Sequence, residues 1–126
     1  MTRREPAAGC RPLTADEYQL VRWMMEHGTP EAAHHLPQLE LATVAAWRCP
    51  CGCASVNFEI DGRPTPIGGM CIIADFVFGS EDEMSGIFVF TKGGILAGLE
   101  AYGLAGEAPK SLPSPDSLRP IPVARS

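Results

Sequence analysis

Three thiols spaced two residues apart, Cys49, Cys51 and Cys53, form the densest group of chemically capable side chains in the chain. They lie within Trp47-Arg48-Cys49-Pro50-Cys51-Gly52-Cys53-Ala54-Ser55. On an extended strand alternate residues face one side, which would set these thiols about 6.6 Å apart. One metal ion needs them closer: tetrahedral zinc binds sulfur at about 2.3 Å, so the backbone has to bend, and Pro50 and Gly52 permit a bend. A fourth ligand is then required. Cys71 is the choice by elimination, with His34 and His35 as alternatives.

Structural zinc sites usually pair cysteines across a two-residue gap and repeat the pair further on, which this sequence does not do. Three readings therefore stand side by side: thiols packed at a strand junction, a zinc or other soft-metal site, and redox or nucleophilic chemistry. The last lacks a base beside the cluster, because His27, His34 and His35 all lie outside it. Only Arg48 is adjacent to favour a thiolate.

Carboxylates offer a second chemistry. Glu59, Asp75 and Glu100 each fall in a stretch with strand character, and on adjoining strands they would form an acid/base pair or a hard-metal site. Asp75 stands out because its neighbours are largely apolar. Glu81-Asp82-Glu83 reads as a solvated loop that a basic partner could recognise. Walker loops, dinucleotide fingerprints, nucleophile elbows and zinc-protease helices are all absent from the sequence.

These residues must be positioned by a small number of elements. Thr14-Ala15-Asp16-Glu17 matches a capping box and starts a helix, with Leu20, Val21, Met24 and Met25 on one stripe and Gly28 as its left-handed terminator. Thr29-Pro30-Glu31 begins a second, short helix, which Pro37 is expected to end near Leu36. Leu39 to Trp47 is β-leaning. After the cysteines, Ser55 to Asp61 alternates, with Val56, Phe58 and Ile60 on one face. Residues 61 to 69 read as a loop.

Met70 to Phe78 reads as a strand with Met70, Ile72, Ala74, Phe76 and Phe78 on one side and Cys71, Ile73, Asp75 and Val77 on the other. Ile87 to Phe90 is the next strand, and Lys92-Gly93-Gly94 turns a hairpin into Ile95 to Tyr102. Strands joined by short turns pair with their sequence neighbours. The expected fold class is thus α+β: one or two N-terminal helices packed on a four- to five-stranded antiparallel meander. Residues 1–12 are expected as a flexible tail, 13–112 as a single domain and 113–126 as a proline-rich tail.

With 126 residues, 45% of them apolar, the chain has material for one core. Its net charge is −5, distributed as +2 on residues 1–12, +1 on 113–126 and −8 on the body between. An acidic body repels phosphate backbones, which argues against nucleic acid and favours a basic protein partner. No stretch approaches the length of a membrane helix, and the first twelve residues carry no apolar leader, so a soluble cytoplasmic protein is expected. Five cysteines in a reducing compartment are expected as thiols or metal ligands rather than disulfides. Oligomeric state leaves no mark in the sequence.

A two-helix start, a strand ending in Cys-x-Cys-Gly-Cys, the alternating Ser-Val-Asn-Phe-Glu-Ile, the Lys-Gly-Gly-Ile-Leu-Ala-Gly-Leu-Glu-Ala-Tyr hairpin and the Leu-Pro-Ser-Pro-Asp-Ser-Leu-Arg-Pro tail together resemble a family of small uncharacterised bacterial proteins. The resemblance spans residues 14 to about 120. It implies a bacterial cytosolic domain and carries no reaction. The order of elements is also similar, by analogy, to the small acidic immunity proteins of toxin systems. The expected class is a non-enzymatic protein-binding domain with zinc at Cys49, Cys51, Cys53 and Cys71. A cysteine-dependent redox or nucleophilic enzyme is the alternative.

Overall fold

The computed structural model describes residues 10–45, 54–63 and 65–121. Helix α1 spans Ala15–Glu26 and begins as the capping box predicts: the Thr14 hydroxyl accepts from the Glu17 N–H at 3.1 Å, and Glu17 Oε1 accepts from the Thr14 N–H at 2.8 Å. Leu20, Val21, Met24 and Met25 form its buried stripe. Gly28 follows the helix but does not adopt the expected left-handed conformation. Glycine is needed there for close approach instead, because a Cβ would collide with the Ile73 carbonyl oxygen and the Ala74 side chain.

The second helical stretch also differs from expectation. A 3-10 turn at Ala32–His35 leads into α2, Leu36–Leu39, with Pro37 in its first turn. Pro37 thus opens a helix rather than closing one, since the first turn has no use for the missing N–H. As a result the following strand is shorter than Leu39 to Trp47 suggested.

Seven strands form one antiparallel sheet: β1 (Arg11–Pro12), β2 (Ala42–Val44), β3 (Val56–Ile60), β4 (Met70–Phe78), β5 (Ser85–Lys92), β6 (Ile95–Gly103) and β7 (Arg119–Pro120). The fold is α+β, and its sheet is larger than four or five strands. The two additional strands are two-residue edges drawn from the stretches read as tails. Proline is tolerated at both because an edge strand leaves one side of its backbone unpaired.

Spatial order is β1-β2-β3-β6-β5-β4-β7, so the sheet is not a simple meander. β4, β5 and β6 are joined by short turns and pair in sequence, but β3 lies against β6 and reaches β4 through residues 61–69. This is the order of a Greek key. The β5–β6 turn holds Gly93 at φ 56 and Gly94 at φ 81, the positive values that a primed hairpin turn requires.

Ile72 and Ile73 depart from the simple alternation. The β4–β5 register shifts between Ile72 and Ala74, and this bulge moves Ile73 onto the side of Ala74 and Phe76, where it is buried. Ile72 is left exposed. Thr29 secures the bulge, donating both its N–H and its hydroxyl to the Ile73 carbonyl at 3.0 Å.

The core lies between α1 and one face of the sheet, where Phe58, Ile73, Ile87, Val89, Leu96 and Leu99 meet the α1 stripe. Leu118, just before β7, joins it and holds the C-terminal stretch against the body. No helix among the described residues is long and apolar enough to cross a membrane.

Candidate functional site

Between their register shifts, β4, β5 and β6 alternate and send every second residue away from α1. Ile87, Val89, Leu99 and Ala101 enter the core, so Phe88, Phe90, Glu100 and Tyr102 face the other side of the sheet. Asp75 joins them, because its neighbours Ala74 and Phe76 are core residues. Register then sets a row across three strands: Asp75 pairs with Phe88, and Phe88 pairs with Glu100. The two carboxylate-bearing residues thus flank one aromatic residue, their backbones two strand spacings apart, or roughly 10 Å.

Aromatic rings fill this face with an apolar floor. Phe88 meets Phe90 edge-on and Tyr102 at a tilt, each at a centroid distance of 5.8 Å. Tyr102 lies over Gly86, its pairing partner on β5, and Phe90 lies over Gly98, its partner on β6. A side chain at either glycine would occupy the space of the ring. Phe88 and Phe90 are buried, Tyr102 and Asp75 are half-buried, and Glu100 is exposed.

Burial dominates the electrostatics of the face. Asp75 Oδ1 is enclosed and accepts no hydrogen bond, and burial pushes the carboxyl pKa above its ordinary value. The Tyr102 hydroxyl is likewise pushed up, first by burial and then by the negative charges of Asp75 and Glu100. Glu59 shares this face at a different level of the sheet, and its Oε1 is also enclosed without a partner. On β7, Arg119 donates through Nη2 to the Gly79 carbonyl at 2.9 Å. Among the described residues the ion pairs are Arg11–Glu17 and Arg22–Glu26, neither of them on this face.

The three carboxylates singled out in the sequence are therefore only partly brought together. Asp75 and Glu100 share a row, whereas Glu59 does not. Among the described residues, no group of three His, Cys, Asp or Glu side chains is placed to hold a metal ion. Residues Tyr102, Phe88, Gly86 and Gly98 were not anticipated as a site. The signal that points to them is Ile87-Phe88-Val89-Phe90, apolar on both faces, in a sheet with α1 on only one.

Cys49, Cys51 and Cys53 lie outside the described residues, in the connection between the paired strands β2 and β3. The residues on either side of it are well anchored. Ala45 donates its N–H to Asn57, Ala54 donates to the Pro109 carbonyl, and Ser55 exchanges hydrogen bonds with Ala101 through its hydroxyl. Cys71 is exposed on β4, three strands across from β3, opposite Thr91 near the β5–β6 turn. Ser55 meets β6 beside Ala101, at the other end of the sheet. Cys71 thus shares neither strand nor sheet end with Ala54.

The histidines are dispersed. His27 stacks on Trp23 at 4.1 Å with its Nδ1 2.8 Å from the Trp23 carbonyl, and His35 Nδ1 is 3.4 Å from Gln38 Oε1. His34 is exposed. His27 and Asp75 both line an open cleft of about 550 Å³ beside β4, with Thr29, Ile72 and Pro120 among its other walls. No protein-family model matches the chain, and no curated protein or solved structure shows significant similarity to it.

Proposed function

We propose that this chain is a non-enzymatic binding domain for a basic protein partner, acting in the manner of an immunity protein. The observation that carries this reading is the contrast between the two faces of the sheet. One packs against α1, while the other carries Glu59, Asp75 and Glu100, none of which forms an ion pair among the described residues. The −8 charge of residues 13–112 adds a long-range field of the same sign, which speeds encounter with a cationic surface and disfavours acidic partners.

Isothermal titration against the product of the adjacent gene, at low and at moderate salt, tests the proposal. Binding that weakens as salt rises supports it. Absence of binding at both salt concentrations would sink it.

Structural zinc at the β2–β3 connection belongs to the same proposal. What supports it is the thiol density of Cys49, Cys51 and Cys53 together with the bend-permitting Pro50 and Gly52.

A further inference from the structure

We infer that the sheet face opposite α1 receives a guanidinium group of the basic partner, seated on the half-buried Tyr102 between Glu100 and Asp75. The inference rests on the basic-partner reading and names the place where it acts. A planar cation gains most where an aromatic face and a carboxylate are offered together, since it can stack on the ring while donating in its own plane. The Asp75–Phe88–Glu100 row supplies the carboxylates, and the adjacent Tyr102 supplies the ring.

Two further observations point the same way. Asp75 Oδ1 is enclosed with no donor, although buried carboxylates are normally hydrogen-bonded, so this group destabilises the free protein until a cation arrives. The rings are also held flat: Gly86 and Gly98 leave room for Tyr102 and Phe90 to lie across the neighbouring strand. Larger residues at those positions would tip the rings and close the seat.

The test is an NMR titration of the intact chain with a tetra-arginine peptide at about 150 mM salt, where the Debye length of about 8 Å screens distant charges. Amide shifts are expected to centre on Gly86, Phe88, Glu100 and Tyr102. Glu100→Gln, at an exposed position, is expected to weaken binding about tenfold, the worth of one charge-assisted hydrogen bond. Asp75→Asn should do the same. Tetra-lysine, which cannot stack as guanidinium does, should bind severalfold more weakly than tetra-arginine. A control chain carrying Glu81→Gln, Asp82→Asn and Glu83→Gln should lose less affinity than Glu100→Gln, because those residues lie in the exposed turn before β5 and not in the row.

If the shifts centre on residues 81–83 and the control chain loses the binding, the seat is wrong while the basic-partner reading stands. If tetra-lysine binds as tightly as tetra-arginine, the aromatic seat is wrong. If neither peptide binds, both the seat and the basic-partner reading fail.

Discussion

Tyr102 lies across Gly86, the residue directly opposite it on the neighbouring strand, in a space that a single methyl group would fill. Gly86 is buried and has an ordinary backbone conformation, so close approach rather than flexibility is what requires glycine there. Gly86→Ala should therefore overpack the face and cost about 1–3 kcal/mol. Urea unfolding measures the loss, and the tyrosine signal in near-UV circular dichroism should change with it. An alanine variant with parental stability and an unchanged tyrosine signal would show that the ring does not rest on Gly86.

Asp75 should make the free protein less stable as pH rises. Its carboxyl pKa is raised by burial in the folded state, above an unfolded value of about 3.9. Between those two values the unfolded chain releases a proton that the folded chain retains, so stability falls through that window and stays lower above it. Asp75→Asn should melt higher than the parent at pH 7, by roughly a few degrees, and equal to it below about pH 4. Thermal melts across this range check the sign, and a variant that melts lower at pH 7 would contradict it.

Glu17 has the opposite dependence. Arg11 donates to it in a bidentate pair at 2.7 and 2.8 Å, and this hydrogen bonding, aided by the Thr14 cap, holds the carboxyl below its ordinary value. The stability it contributes is present above the unfolded value and is lost as pH falls through the folded one. Glu17→Ala removes both the capping interaction and the pair that ties β1 to α1, with an expected loss of about 1–2 kcal/mol at pH 7. Below the folded pKa the loss should shrink, as acid unfolding of parent and variant would show.

Metal content addresses the cysteine cluster. Protein purified without chelator is expected to carry about one zinc per chain, with Cys49, Cys51 and Cys53 protected from alkylation until the metal is removed. Cys71, exposed on β4, should react at once. A zinc-free chain whose thiols are all immediately reactive would overturn the zinc proposal.

Thr29 provides a test of the bulge that sets the face of β4. Its hydroxyl and N–H converge on the Ile73 carbonyl, and Thr29→Val removes one of the two donors at similar volume. A loss of about 1 kcal/mol is expected, read from urea unfolding. No loss would mean that the backbone donor alone holds the bulge.

Much of this protein is written locally and can be read without a structure. The capping box at Thr14, the α1 stripe, strand β4 from Met70 to Phe78 and the Gly93-Gly94 turn all depend on neighbours within a few residues. Propensity, periodicity and turn chemistry decide such elements, and the α+β class follows from them. The edges were less legible. Arg11–Pro12 and Arg119–Pro120 become strands only because β2 and β4 present free edges to them, and nothing within a two-residue segment announces that.

The three cysteines, by contrast, are conspicuous in sequence, and their chain position identifies only which two strands they connect. Tertiary structure alone decided the candidate site. Asp75, Phe88 and Glu100 are separated by 12 or more residues in sequence, and they form a row because strand order and register align three strands. The Ile73 bulge reassigns two side chains on β4 for a similar reason, through a bond from Thr29, 44 residues away. Pairing partners and bulges are set by contacts distant in sequence, so alternation within one strand can say which residues share a face but not what they will meet there.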